Sequence, residues 1–208
     1  MTLARAIICL GLAAFAQTPG AASISAQDLA KVGTQSSWVE EKWPFPIDQW
    51  GIGQAFGCAA ERCGRQLHLY LRAKIGFCRC ATGLSNDNEI ERVGDLKLIG
   101  PDYQALASGH PVSAGIMTGR ARLYAVARPL QSALPVLTIA LANKCDAIVA
   151  TVITEPEAPS AAEAQALDFL RSTAVQHWVD AQGDGERTAQ RASTSTSPST
   201  PVITLKSR

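Results

Sequence analysis

The stretch RQLHLYLRAKIGF, Arg65 to Phe77, decides how the chain is read. Leu67, Leu69, Leu71, Ala73, Ile75 and Phe77 alternate with His68, Tyr70, Arg72, Lys74 and Gly76. Side chains on a strand point to opposite faces in turn, so this pattern is that of a strand with one apolar and one polar face. Downstream, Val112 to Thr118, Ala121 to Ala127 and Val136 to Ala142 read as further strands. Cys145 to Thr154 is apolar on both faces, as a central strand should be. Asn143-Lys144 suits a tight connection between the last two, which makes the C-terminal half an antiparallel meander.

Helices fit around these strands. Asn86 followed three residues later by Glu89 is a relaxed capping box, and Gly94 is a stop signal, so one short helix is predicted between the first strand and the meander. Ser160 to Glu163, after Pro159, is a capping box for a helix from about Ala161 to Trp178, with Leu167, Leu170, Ala174 and Trp178 at helical spacing. The expected fold class is α+β. An antiparallel sheet of about five to six strands carries the C-terminal helix packed on it, and there is one short central helix.

Upstream of the first strand, WVEEKWPFPIDQWGIGQAFG holds three of the four tryptophans, Trp38, Trp43 and Trp50, around Pro44 and Pro46. Proline forbids a continuous helix and removes ladder donors, so this segment is expected to be an irregular strap whose rings cover part of the core. The sharper alternative is an aromatic ligand platform. Its GIGQAFG run, Gly51 to Gly57, is not a dinucleotide loop: the third glycine comes one place late and no βαβ unit surrounds it.

The ends read differently from the middle. Arg5, the apolar run Ala6 to Ala16 and the small residues Ala14 and Ala16 form a secretory leader, with cleavage after residue 16 or, at Gly20-Ala21-Ala22, after residue 22. The organisation expected is a leader over 1–22, a poorly ordered segment over 23–35, a single α+β domain over 36–179 and a disordered Ser/Thr-rich tail over 180–208. After the leader is removed, no apolar run reaches the ~18 residues of a transmembrane span. With 19 basic against 18 acidic residues, no field is available to draw in nucleic acid.

Recognisable catalytic parts are missing. There is no G-x-S-x-G, no H-E-x-x-H and no C-x-x-C, and the three histidines, His68, His110 and His177, are scattered. No catalytic residue and no cofactor-binding residue is assigned, and no cofactor is expected. The glycine-rich Asp180 to Gly185 lacks the terminal Glu of a calcium loop, because Arg191 stands there.

Five cysteines survive leader removal: Cys58, Cys63, Cys78, Cys80 and Cys145. In an exported protein they are disulfide candidates, and the odd count leaves one thiol over. Cys78 and Cys80 share a face if the strand continues, with Cα atoms ~6.5 to 7 Å apart, at the limit for bonding each other. Cys58 and Cys63 are five apart, on different faces of a helix but within reach of each other in a turn. The economical arrangement ties the CAAERC segment to the CRC strand end, with Cys145 as the other partner or a free thiol. The rival is a zinc or copper site formed by Cys58, Cys63, Cys78 and Cys80, or a redox role with Arg62, Lys74 and Arg79 lowering a thiolate pKa.

From Trp43 to Trp178 the order of elements, namely aromatic strap, strand, short helix, meander and closing helix, resembles the PsbP/Mog1-like superfamily of α/β/α sandwiches. The resemblance implies a binding or assembly-accessory domain and no enzyme. The function expected is therefore that of an exported, disulfide-stabilised binding or accessory domain of the bacterial envelope, periplasmic or secreted. Its protein or small-molecule partner is not specified by the residues, and the thiol-based metal or redox protein is the alternative.

Overall fold

The computed structural model describes residues 37–76, 82–129, 131–143, 145–154 and 159–182. The expected leader, the segment 23–35, the tail from 183 onward, Cys78 and Cys80 lie outside the described residues. Eight strands form one antiparallel sheet: β1 Val39–Glu41, β2 Gln54–Cys58, β3 Leu67–Lys74, β4 Tyr103–Ala105, β5 His110–Ala114, β6 Met117–Arg128, β7 Gln131–Asn143 and β8 Asp146–Ile153. Their order is β1-β2-β3-β8-β7-β6-β4, with β5 also paired to β6. The helices are α1 Ala60–Cys63, α2 Asp87–Val93, α3 Leu96–Ile99 and α4 Pro159–Leu170, followed by a helical segment, α5, over 173–182.

The fold class stands as mixed α and β on an antiparallel sheet, but the strand count is higher than expected. Two of the additional strands, β1 and β4, are three residues long and too short to show a period. The third, β2, was read as part of the strap. It is almost wholly buried, so its sequence QAFGC has no polar face to alternate with. The β5–β6 turn also falls earlier than expected, at Gly115 with φ 61°, and not at Gly119. Gly119 is instead inside β6, where a Cβ would stand 1.9 Å from the carbonyl oxygen of Ala140 on β7. Glycine there serves a close approach of two backbones and not a turn.

Asn86 caps α2 as expected, its side chain accepting the Glu89 N–H at 3.1 Å. The C-terminal helix differs from expectation. It begins at Pro159 and is interrupted at Arg171–Ser172, so it is two segments and not one, and the second runs on through residues 180–182 that had been assigned to the tail. Its buried line is Ala162, Ala166, Phe169 and Leu170, continued by Val175, Trp178 and Val179. Glu163 does not close a capping box but meets His110 on β5 at 2.8 Å.

The two sheet faces are built differently. On one, Leu67, Leu69 and Leu71 of β3, Ile148, Ala150 and Val152 of β8 and Leu137, Ile139 and Leu141 of β7 form the main core with α4 and α5. Each large apolar side chain buried here contributes about 1.5–3 kcal/mol. Trp38 belongs to this layer, its ring 5.5 Å from that of Phe169. On the opposite face, α2 lays Ile90 and Val93 over Ala140, Ala147 and Val149, while Leu96 of α3 packs near Tyr124, Val126 and Val136. The sheet is therefore covered on both sides. The polar face expected of β3 is buried at the strand's C-terminal end, where Arg72 and Lys74 are 1% and 3% exposed. No described helix is long and apolar enough to cross a membrane.

Candidate functional site

Arg72 and Lys74 stand two residues apart on β3, so both side chains project to the face opposite the main core. The strap crosses over them. Trp43 lies with its ring centre 4.9 Å from the Arg72 guanidinium carbon, and Trp50 with its centre 5.2 Å from Lys74 Nζ. Trp43 also packs edge-on against Phe45 and Tyr70, at 5.2 and 6.0 Å. Gly53 makes this possible: a Cβ there would stand 2.5 Å from the Trp43 ring and 2.6 Å from the Leu71 carbonyl oxygen.

Each buried cation has a carboxylate. Arg72 Nη1 donates to both oxygens of Asp48, at 2.9 and 2.8 Å, and Lys74 Nζ donates to Asp95 Oδ1 at 2.8 Å. Asp48 comes from the strap, where its side chain also accepts the Trp50 N–H at 2.8 Å and its carbonyl accepts the Gly51 N–H. Asp95 comes from the α2–α3 junction, directly after Gly94, whose own N–H is bonded to the Ile90 carbonyl. Burial by itself would raise the Asp48 carboxyl, but the bonds from Arg72 and the Trp50 N–H outweigh it and hold the group below its ordinary 3.8. One ion pair, Arg72–Asp48, thus fastens the strap to the sheet and the other, Lys74–Asp95, fastens the α2–α3 corner, each cation covered by an indole face of the strap.

Beside this latch lies an open cleft of about 580 Å³, walled by Asp48, Trp50, Lys74, Glu91, Asp95 and Tyr103 among others. That volume is in the range of small-molecule sites. Charged groups of both signs reach it, and Glu91 is itself held by Arg122 at 2.7 Å. The expected choice between packing strap and ligand platform therefore resolves by residue. Trp38 and Trp43 are packing, while Trp50 both covers Lys74 and borders the cleft.

The other candidate residues fall elsewhere. Cys58 and Cys63 are joined to each other, with Cα atoms 6.0 Å apart. The turn of α1, ending at Gly64 with φ 73°, brings them together, so CAAERC is not bridged to the CRC segment. Bonded to each other, these two sulfurs are not thiolate ligands for the four-cysteine metal site. Cys145 is also disulfide-bonded, so of its two readings, bridge partner or free thiol, the first holds. Lys74 is engaged with Asp95, not with a thiol. His68 meets Glu41 at 3.1 Å, His110 meets Glu163, and His177 is exposed on α5, so the histidines stay on separate elements. Among the described residues no group of three or more His, Cys, Asp or Glu side chains is placed to hold a metal ion.

Sequence reasoning named Arg72 and Lys74 as part of a polar strand face, and Lys74 also as a cation near the thiols, but did not single out Asp48 or Asp95. The available signal was two cations at alternate strand positions after a segment with three tryptophans and an aspartate. No protein-family model and no curated protein sequence matches this chain.

Proposed function

We propose that this chain is an exported binding or accessory domain whose ligand cleft lies between the strap and the α2–α3 corner. The observation that carries the reading is that the buried Lys74 and the carboxylates of Asp48 and Asp95 stand at the wall of that cleft, with Arg72 buried behind them. A buried ion pair gives little net stability compared with apolar residues of the same volume, because desolvation offsets the attraction. Charges kept at such a cost beside an open cleft support a role in recognition. The leader-like N-terminus and the disulfide chemistry support export, and helices on both faces of an antiparallel sheet support the PsbP/Mog1-like reading.

Two measurements test this. Expressed with its own leader in a bacterial host, the protein is expected outside the cytoplasm, with the Cys58–Cys63 bond found by non-reducing peptide mapping. Cytoplasmic protein with reduced thiols would refute export. A thermal-shift screen across cationic, neutral, anionic and peptide compounds is expected to find at least one class that raises Tm in the wild type but not in Trp50→Ala. A shift that survives Trp50→Ala, or none at all, would refute the cleft as the site.

A further inference from the structure

We infer that the cleft binds a small organic anion of single charge, with Lys74 as its inner anchor and Lys97 as the charge it neutralises, an inference that rests on the binding function proposed above. Lys74 is one of the residues that wall the cleft, so a ligand in that space meets it directly. An ammonium group carries three N–H donors and no acceptor. On Lys74 one donor is spent on Asp95 Oδ1 at 2.8 Å, and among the described residues no second acceptor takes the other two. The side chain is 4% exposed, so the cleft that it walls is where an acceptor reaches it. Trp50 borders the same space and covers the ammonium with its ring centre 5.2 Å from Nζ. An indole face attracts the charge but supplies no lone pair to the open N–H groups.

The remaining wall charges are paired, with one exception. Asp48 is held by Arg72, Asp95 by Lys74, Glu91 by Arg122 and Arg92 by Glu89. Lys97, exposed on α3, has no partner among the described residues. Each pair sums to zero, so the cleft keeps one uncompensated positive charge. A singly charged anion neutralises it. An ammonium ligand adds to it, and a dianion overshoots it against three wall carboxylates.

The shape of the anionic group is left open by this chemistry. Lysines act as point charges and impose no planar fork, so a carboxylate and a sulfonate both qualify. The body of the ligand is constrained more closely. Trp50, Leu96, Leu98 and Tyr103 border the cleft, so that body is expected to be flat and apolar.

The test uses the full oxidised chain labelled with 15N, titrated separately with benzoate, benzenesulfonate, benzamide, benzylamine and phenyl phosphate. The Trp50 indole N–H resonance, assigned with Trp50→Phe, reports binding beside Lys74. At least one of the two monoanions, benzoate and benzenesulfonate, is expected to shift it saturably and to bind at least tenfold tighter than the other three probes. Lys97→Gln alters an exposed side chain and is expected to weaken that monoanion at least threefold and to flatten its salt dependence. Lys74→Met with Asp95→Leu removes the anchor together with its counter-ion and is expected to abolish the shift. If that double variant does not fold, Lys97→Gln and the comparison among probes still decide. Equal or tighter binding of benzamide, benzylamine or phenyl phosphate would overturn the inference and leave the cleft as a binding site. Monoanion binding untouched by Lys97→Gln, or kept by a folded double variant, would do the same. No shift with any probe would overturn the inference too, while the wider ligand screen decides the proposed function.

Discussion

Replacing Asp95 by Asn removes one half of a pair whose side chains are 4% exposed at Lys74 and 9% at Asp95. Asn keeps the shape but not the charge, so the ammonium group of Lys74 is left buried against the Trp50 ring without its hydrogen-bonded carboxylate. Breaking a buried pair in this way typically costs about 3–5 kcal/mol. In a domain of this size 1 kcal/mol moves Tm by ~2–4 °C, so the loss corresponds to roughly 6–20 °C. Removing both charges has a different outcome, since desolvation no longer has to be met: Lys74→Met with Asp95→Leu is expected within about 1 kcal/mol of the wild type, or above it. Urea unfolding of the wild type, Lys74→Met, Asp95→Leu and the double variant under non-reducing conditions, followed by tryptophan fluorescence and circular dichroism, gives all four corners of the double-mutant cycle, with Asp95→Asn measured beside them. If Asp95→Asn costs under about 1 kcal/mol, the pair is screened as a surface pair would be and the latch contributes nothing. If the double variant is as unstable as the single ones, the loss comes from packing and not from charge.

Three further outcomes are expected. Asp87 accepts the Gly109 N–H at 3.0 Å and pairs with Arg120 at 2.7 Å, and these contacts hold its carboxyl below the ordinary 3.8. The stability it contributes is therefore present above about pH 4 and lost as pH falls through the depressed native value, so acid titration of Asp87→Asn should show a flatter decline in that window. Tyr124 is pushed up to about 12, chiefly by burial, so its native form stays neutral. Stability is expected to fall as pH rises from ~10 toward that value, and Tyr124→Phe should remove this part of the alkaline loss in a chemical-denaturation series. Reducing the Cys58–Cys63 bond, or replacing both residues by Ser, should cost about 2 kcal/mol, the loop-closure value for so short a loop; an unchanged unfolding midpoint would show that the α1 turn holds itself.

Much of the sheet was legible because it rests on local pattern. The alternation in β3, the two-sided apolar run of β8 and the Asn86 cap are each decided by residues within a few positions of one another. What escaped was set by distant partners. β1 and β4 exist only because β2 and β6 offer an edge, and the break near Arg171 has no glycine or proline to mark it. The latch was hidden for the same reason. Arg72 and Lys74 look solvent-facing until Asp48, 24 residues before Arg72, and Asp95, 21 residues after Lys74, are brought to them. Cysteine pairing was half legible, because sequence allowed a Cys58–Cys63 turn without choosing it over a bridge to the CRC segment.

The place of β3 in the sheet has a consequence for how the chain is made. Its partner β2 is adjacent in sequence, but its other partner, β8, is synthesised more than seventy residues later: Lys74 pairs with Ala147 and His68 with Ile153. Until that strand arrives, one edge of LHLYLRAK has no native partner, and an apolar strand edge is a template for pairing with other copies. Arg72 and Lys74 sit on that strand. Like-charged rows oppose each other when two copies align in register, so the cations that later fasten the strap and the α2–α3 corner also guard the nascent strand against self-association.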